Sequence, residues 1–233
     1  MGLFFNFTPN NEEFTDSKKD VLKFLKVIRV DSRYISYTSS KIYINNLRFS
    51  KFSKTKEKAF KKHYPDFEIL RSSLFQKICS RSSKVLSNKL NPKNCILLPK
   101  KDNSINELLA IVLEPYTRKY GVELVYEGNT DLIAKSFYLD EEVSNIFSEI
   151  FSGQGVNLEN QQKNTVYPFI NIPKEWLNSF LEMEEFDTIK EKEINNDFEK
   201  ISNLFMSFLS EITPQYRENT LVSKEYIKKN FKS

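Results

Sequence analysis

Residues 94–130 read NCILLPKKDNSINELLAIVLEPYTRKYGVELVYEGNT, and their order decides the fold class. Cys95-Ile96-Leu97-Leu98 is a short apolar run bounded by turn residues, the form taken by a buried strand. Ser104-x-x-Glu107 is a capping box that opens an amphipathic helix through Leu108, Leu109, Val112, Tyr116 and Tyr120. Pro115 within that pattern predicts a kink or an early end, because proline has no N–H and crowds the preceding turn. Gly121 stands where a helix closes in the left-handed conformation, and Val122 to Tyr126 is the next strand. Strand, helix and strand in succession is how a parallel α/β sheet is written.

The alternation continues in both directions. Upstream, Asp66 to Leu70 reads as a first strand and Leu74 to Leu90 as the helix after it, between breaks at Pro65 and Pro92. Downstream, Asn129 or Thr130 caps a predicted helix carrying Ile133, Phe137, Val143, Ile146, Phe147 and Ile150. Tyr167 to Ile172 predicts a further strand, and Pro173 sits at the opening of a helix with Trp176 and Phe180. A last amphipathic helix, Ile194 to Ile212, stops at Pro214 and leaves a basic tail. The N-terminal part is less regular. Residues 1–20 read as a loose arm, Asp20 to Val30 as a short amphipathic segment, and Arg48 to His63 as a basic tract with Phe49, Phe52 and Phe60 anchoring one helical face. Three regions result: a basic extension over 1–64, an α/β domain over 65–190 and a helical segment over 191–233.

Four of the five glycines fall between residues 121 and 155. The first strand-to-helix turn, at Arg71-Ser72-Ser73, has none, although wrapping a phosphate in backbone N–H groups calls for glycine there. The pattern suggests a nucleotide enzyme's fold whose phosphate loop has decayed, and hence a non-catalytic subunit.

Charge is distributed unevenly. Residues 1–101 hold 22 Lys and Arg against 8 acids, while residues 102–233 hold 13 against 23. A basic surface for a polyanion and an acidic surface for another partner follow. Lysine is also favoured by A/T-rich coding, but coding bias does not explain why the acids avoid the first half. Arg48, Lys51, Lys54, Lys56, Lys58, Lys61 and Lys62 are the candidate residues for binding that polyanion. Cys79 and Cys95 form no CxxC and suggest buried thiols of a reducing, cytoplasmic setting. No apolar run is long enough to span a membrane.

Catalytic groups are scarce. His63 is the only histidine and lies inside the lysine tract, so no Ser/His/Asp triad can be assembled. No Cys or His set has zinc-ligand spacing. Asp140-Glu141-Glu142 and Glu184-Glu185 are neighbours on helices and point apart. The expectation is no metal and no cofactor of the chain's own, with Mg²⁺ entering only alongside a nucleotide.

The sequence resembles, over most of its length and chiefly as pattern, the second-subunit family of the cytoplasmic tRNA 2-thiolation complex, a degenerate branch of the PP-loop ATP pyrophosphatases. Asn103 to Leu109 is similar to that family's Ser/Asp-Leu-Leu helix start. Tyr120 to Gly128 is similar to its helix end and strand, Thr130 to Lys135 to its Thr-Arg-Leu-Ala helix opening, and Phe151 to Gly155 to its Lys-Gly-Arg-Gly segment. Phe169 to Leu177, Ile194 to Tyr216, Val27 to Arg29 and Asn46 to Phe49 carry weaker likenesses. The family's CxxC pairs are missing, with hydroxyls in Tyr34 to Ser40 instead, and Gln154 replaces an expected arginine.

The resemblance implies a Rossmann-like PP-loop sheet with helices on both faces. It places a vestigial nucleotide pocket at Arg71, Ser72, Ser73, Glu127, Gly128, Asn129, Gly153 and Gly155. It also implies tRNA and a catalytic PP-loop subunit as partners in a heterodimer, with a ubiquitin-like sulfur carrier reached through that subunit. Trp176 and Phe180 are the candidate interface anchors, set against simple packing of their helix on the sheet. Two rivals stand beside this reading. One is an independent ATP-dependent tRNA-modifying enzyme with an unusual loop. The other is an α/β adaptor without an RNA role.

Overall fold

The computed structural model describes residues 12–157, 164–190 and 196–230. The expected loose arm therefore lies partly, and Ile194 wholly, outside the described residues. Two separate sheets organise the chain, one of three strands and one of four.

The N-terminal unit begins with helix α1 (Glu12–Val27), followed by a 3-10 turn (Ser32–Tyr34) and strands β1 (Ile35–Tyr37) and β2 (Lys41–Ile44). Helices α2 (Leu47–Ser50) and α3 (Lys54–His63) precede strand β3 (Glu68–Leu70). β1 pairs antiparallel with β2, and β3 joins β2 in parallel, with Ile42 opposite Ile69. Val21, Leu25, Ile35, Ile42, Ile44, Phe52 and Phe60 form this unit's own core. Arg48 to His63 is not the single helix the phenylalanine spacing predicts. Lys51 adopts the left-handed conformation at φ 54°, which a side chain tolerates poorly, and so splits α2 from α3. Phe52 is thereby turned inward beside Phe60, while Phe49 is left half-exposed.

The second unit carries helix α4 (Ser73–Leu86), strand β4 (Cys95–Leu97), helices α5 (Ser104–Leu113) and α6 (Tyr116–Lys119) and strand β5 (Glu123–Val125). Strand β6 (Leu132–Ala134), helix α7 (Leu139–Phe151), strand β7 (Thr165–Val166) and helix α8 (Lys174–Met183) follow. Its four strands are all parallel in the order β5-β4-β6-β7. Ile96, Leu98, Leu132, Ala134 and Val166 share one face, against which α4, α5 and α8 pack Phe75, Leu108, Val112, Leu177 and Phe180. The break at Pro115 and the close at Gly121, φ +66°, fall where the sequence predicts them.

Three expectations are corrected here. The strand expected over Tyr167 to Ile172 is instead Thr165–Val166, and the expected loose arm is helical from Glu12. The helix expected from Asn129 or Thr130 begins later. Leu132 to Ala134 is a strand, and the helix starts only at Leu139, so Ile133 and Phe137 do not belong to it. Ile133 sits in an alternating buried-exposed-buried register, a period-two signal hidden by the helical spacing further on. The connection from β5 to β6, residues 126–131, is also too short for a helix, although a parallel crossover ordinarily needs about a dozen residues or more. The Asp131 carboxylate fixes its far end by accepting from the Cys95 N–H at 2.8 Å.

Helices α9 (Asp197–Ile212) and α10 (Tyr216–Asn230) complete the chain. The tail after Pro214 is therefore helical. Leu139 and Val143 of α7 meet Met206 of α9 and Tyr216 of α10 in a third cluster. None of the described helices is long and apolar enough to cross a membrane.

Two carboxylates, Glu184 buried and Glu114 largely so, join the units. Glu114, after α5, accepts from the Tyr37 N–H of β1 at 3.1 Å and is gripped by both guanidinium nitrogens of Arg118 and by Lys18. Arg118 also donates to the Ser32 and Ile35 carbonyls. Glu184, at the end of α8, accepts from the Tyr43 hydroxyl at 3.0 Å and from Lys41 at 3.2 Å.

Candidate nucleic-acid interface and the glycine-free switch point

In an open parallel sheet, ligands bind beyond the carboxyl ends of the strands where successive connections leave in opposite directions. That point lies at β4: β5 is its neighbour on one side and β6 on the other. The loop following β4 is Leu98-Pro99-Lys100-Lys101-Asp102-Asn103, which has no glycine. Arg71-Ser72-Ser73, where the family resemblance puts the phosphate loop, follows β3 in the other sheet. The sequence alone misses this because Glu68–Leu70 looks like any strand before a helix; only its partner, β2, reveals which sheet it serves.

The β4 loop is tied from within. Asn103 caps α5, accepting from the Asn106 N–H at 3.0 Å. The Asn106 side-chain amide donates to the Lys100 carbonyl at 3.0 Å and to the Asp102 carboxylate at 2.8 Å. Its oxygen accepts from the Ser136 hydroxyl, just past β6, at 2.7 Å. Asn106 is buried and spends its amide on loop atoms, so the crevice between β4 and β6 is bridged by protein. Lys101 lies 5.9 Å from the Tyr126 ring, and burial lowers its pKa despite the opposing pull of Glu107. A phosphate nest requires consecutive free N–H groups on a flexible backbone; here the turn is filled by lysine, aspartate and asparagine side chains.

The predicted pocket residues lie on separate elements. Arg71 bonds Glu57 and the Phe52 carbonyl, both at 2.8 Å, and so locks α3 to β3. Ser72 caps α4, accepting from the Phe75 N–H, and Ser73 begins that helix. Glu127, Gly128 and Asn129 lie in the short β5–β6 connection, while Gly153 and Gly155 follow α7. Beyond β6 and β7 a cavity of about 270 Å³ is lined by Lys135, Phe137 and Tyr167, with Lys224 and Lys228 of α10 closing it. Lys224 is itself bonded to Glu142 at 2.6 Å.

The lysine tract forms a real surface. Phe60 is buried, and Lys54, Lys58 and Lys61 follow one another at spacings of four and three, which aligns them along one exposed face of α3 with Lys62 beside them. These four make no ion pair among the described residues. Glu57, the one acid of α3, is turned away to Arg71. Lys56 leaves the face, donating to the Arg29 carbonyl at 2.6 Å. Arg48 and Lys51 are exposed on and after α2. Helix α1 adds what sequence reasoning overlooked: Phe24 packs on Phe60, His63 and Tyr64, which leaves Lys19, Lys23 and Lys26 exposed beside the same unit. The signal was present as lysine opposite the Val21/Leu25 stripe.

Phe180 is fully buried, stacked 5.0 Å from Phe75, so it is core and offers no surface. Trp176 is partly buried, with Arg81 4.2 Å and Lys77 5.6 Å from its ring. Trp176 lies on α8, and both cations come from the neighbouring helix α4.

No protein-family model and no curated protein matches the sequence. Among solved structures, the chain is similar to the U34-tRNA thiolase NcsA from Methanococcus maripaludis with its [4Fe-4S] cluster, with a TM-score of 0.51 and 13% identity over 73% of this chain and 83% of that one. The likeness shows the fold: an α/β chain with a parallel four-stranded sheet flanked by helices, as the sequence led us to expect. The cluster does not carry over. Thiolates hold four-iron clusters, and this chain has two cysteines in all. Burial pushes the Cys79 thiol far above its usual range, and no group of three or more His, Cys, Asp or Glu able to hold a metal occurs among the described residues.

Proposed function

We propose that this protein is a cytoplasmic, non-catalytic subunit in wobble-uridine (U34) 2-thiolation of tRNA, binding the tRNA backbone and supporting a catalytic PP-loop partner. The observation that carries the reading is the pairing of two features in one thiolase-like fold. The switch-point loop has no glycine and is cross-linked by Asn106, while α3 presents an unpaired lysine face. The first disfavours cradling a triphosphate, and the second suits phosphates that are neutralised without reading sequence. The partner would adenylate the uridine and receive the sulfur; this chain would hold and orient the RNA.

Calorimetry with ATP and Mg²⁺, tRNA binding at two salt concentrations and co-purification test the proposal together. The expected result is no heat with ATP, salt-sensitive tRNA binding, and recovery of a PP-loop subunit. Saturable ATP binding that disappears in Asn103→Ala or Lys101→Ala would instead favour an independent enzyme. Tight association with unrelated proteins and no RNA binding would favour an adaptor.

A further inference from the structure

We propose that Phe49 and Tyr34, flanked by Arg48 and Lys119, form a stacking platform for an unpaired base of single-stranded RNA. This rests on the tRNA-binding reading above and specifies how part of that RNA is held.

The platform is built on a fixed turn. Asn46 caps α2 by accepting from the Phe49 N–H at 3.0 Å, and the Gln76 side chain accepts from the Leu47 N–H at 3.0 Å. Ser50 is fully buried, and its carbonyl accepts from the Asp31 N–H at 2.8 Å. The left-handed Lys51 ends the turn. With the backbone pinned on the inside, Leu47 and Phe49 remain 45% and 50% exposed. Neither Phe49 nor Tyr34 joins any of the three apolar clusters. Their packing therefore leaves the large ring outside, where burial does not account for it.

Cations and rings alternate along this surface. Arg48 lies 5.8 Å from the Phe49 ring, which sits 5.2 Å from the Tyr34 ring at an angle of 32°. Lys119 lies 5.7 Å from Tyr34 and 5.5 Å from Tyr120. The nearby carboxylate of Asp31 is engaged by Arg33 in two bonds of 3.0 and 2.8 Å. An open ring with positive charge on both sides matches a nucleobase between its two phosphates. Bases inside a duplex already have both faces covered, so the fitting ligand is a loop, bulge or end. Selectivity among the four bases is not expected, since each presents a π face.

The test uses the full chain, folded tRNA, and a short single-stranded RNA carrying 2-aminopurine. Phe49→Ala and Phe49→Leu are compared with the unaltered protein, and melting curves check that each variant is folded. Both variants should bind the short RNA about 5- to 150-fold more weakly and lose quenching of the fluorophore, while the salt dependence of tRNA binding stays the same. Leucine retains the apolar bulk and lacks the ring, so retained affinity in Phe49→Leu would overturn the platform. So would unchanged quenching in both variants alongside intact, salt-sensitive tRNA binding, a result that leaves the proposed function standing. Failure of the unaltered chain to bind any RNA would remove the proposed function and the platform together.

Discussion

Replacing Lys54, Lys58, Lys61 and Lys62 together with alanine removes the aligned face of α3 without touching its core. All four side chains are exposed, and α3's buried anchor, Phe60, is retained. Surface substitutions of this kind ordinarily change stability by about 0.5 kcal/mol or less each, so the variant should melt cooperatively near the parent. Each neutralised phosphate contributes about 0.7 to 0.9 to the slope of log affinity against log salt, so four lysines amount to a slope difference of about 3. Raising salt fourfold should then weaken the parent roughly 50- to 150-fold more than it weakens the variant. Filter binding or fluorescence anisotropy with one transcribed tRNA, across a salt series, measures both slopes directly. A variant that loses affinity at every salt concentration while keeping the parental slope would refute the reasoning, because the loss would not come from released counterions. An unchanged affinity would move the RNA surface off α3 altogether.

Three further outcomes follow from the buried polar joints and the core. Glu114→Ala should cost about 3–5 kcal/mol in urea unfolding, since it strands Arg118 and the Tyr37 N–H. Burial alone would raise the Glu114 carboxyl, but Arg118 and Lys18 outweigh it and hold the pKa below the usual carboxylate value. Its stabilising contribution is therefore complete above the unfolded-state pKa and lost as pH falls through the lower folded value; Glu114→Gln should flatten the acid limb of a stability profile, and a parallel profile would contradict this. Tyr43→Phe removes a hydrogen bond to the buried Glu184 carboxylate and should destabilise by about 1.5–3 kcal/mol in the same assay; no measurable change would mean that Lys41 alone satisfies Glu184. Phe180→Ala should cost about 3–5 kcal/mol as a core cavity, so any effect on partner capture should vanish once folded protein is compared at equal concentration.

Much of the architecture could be read from the chain because Cys95 to Tyr126 is locally consistent: a strand-length apolar run, a capped helix and a glycine stop all agree. Pairing partners were less legible. The identity of β3 depends on a partner, β2, separated from it in sequence by α2 and α3, and nothing in Glu68-Ile69-Leu70 encodes which sheet accepts it. Ile133 reads with the helix beyond it because an apolar residue at helical spacing follows at Phe137. The lysine face was visible in composition, yet its break at Lys51 was not, since a left-handed lysine carries no distinctive signal. The internal bridge made by Asn106 was equally hidden. In sequence it is one more polar residue in the first turn of a helix, and only the return of β6 brings Ser136 against it.

The core of the N-terminal unit is drawn entirely from residues 21–60, with Phe67 and Ile69 packed against it. All three strands of its sheet are complete by Leu70. During synthesis, this unit can therefore close before any of the four-stranded sheet has been made, since local contacts form without waiting for distant ones. The lysine face would then be displayed on a folded surface while the acidic half was still emerging, with Glu114 and later Glu184 arriving as the bolts. Pulsed hydrogen exchange on refolding full-length protein should find the amides of β2 protected ahead of those of β4 and β6; the reverse order would show that the parallel sheet nucleates the fold.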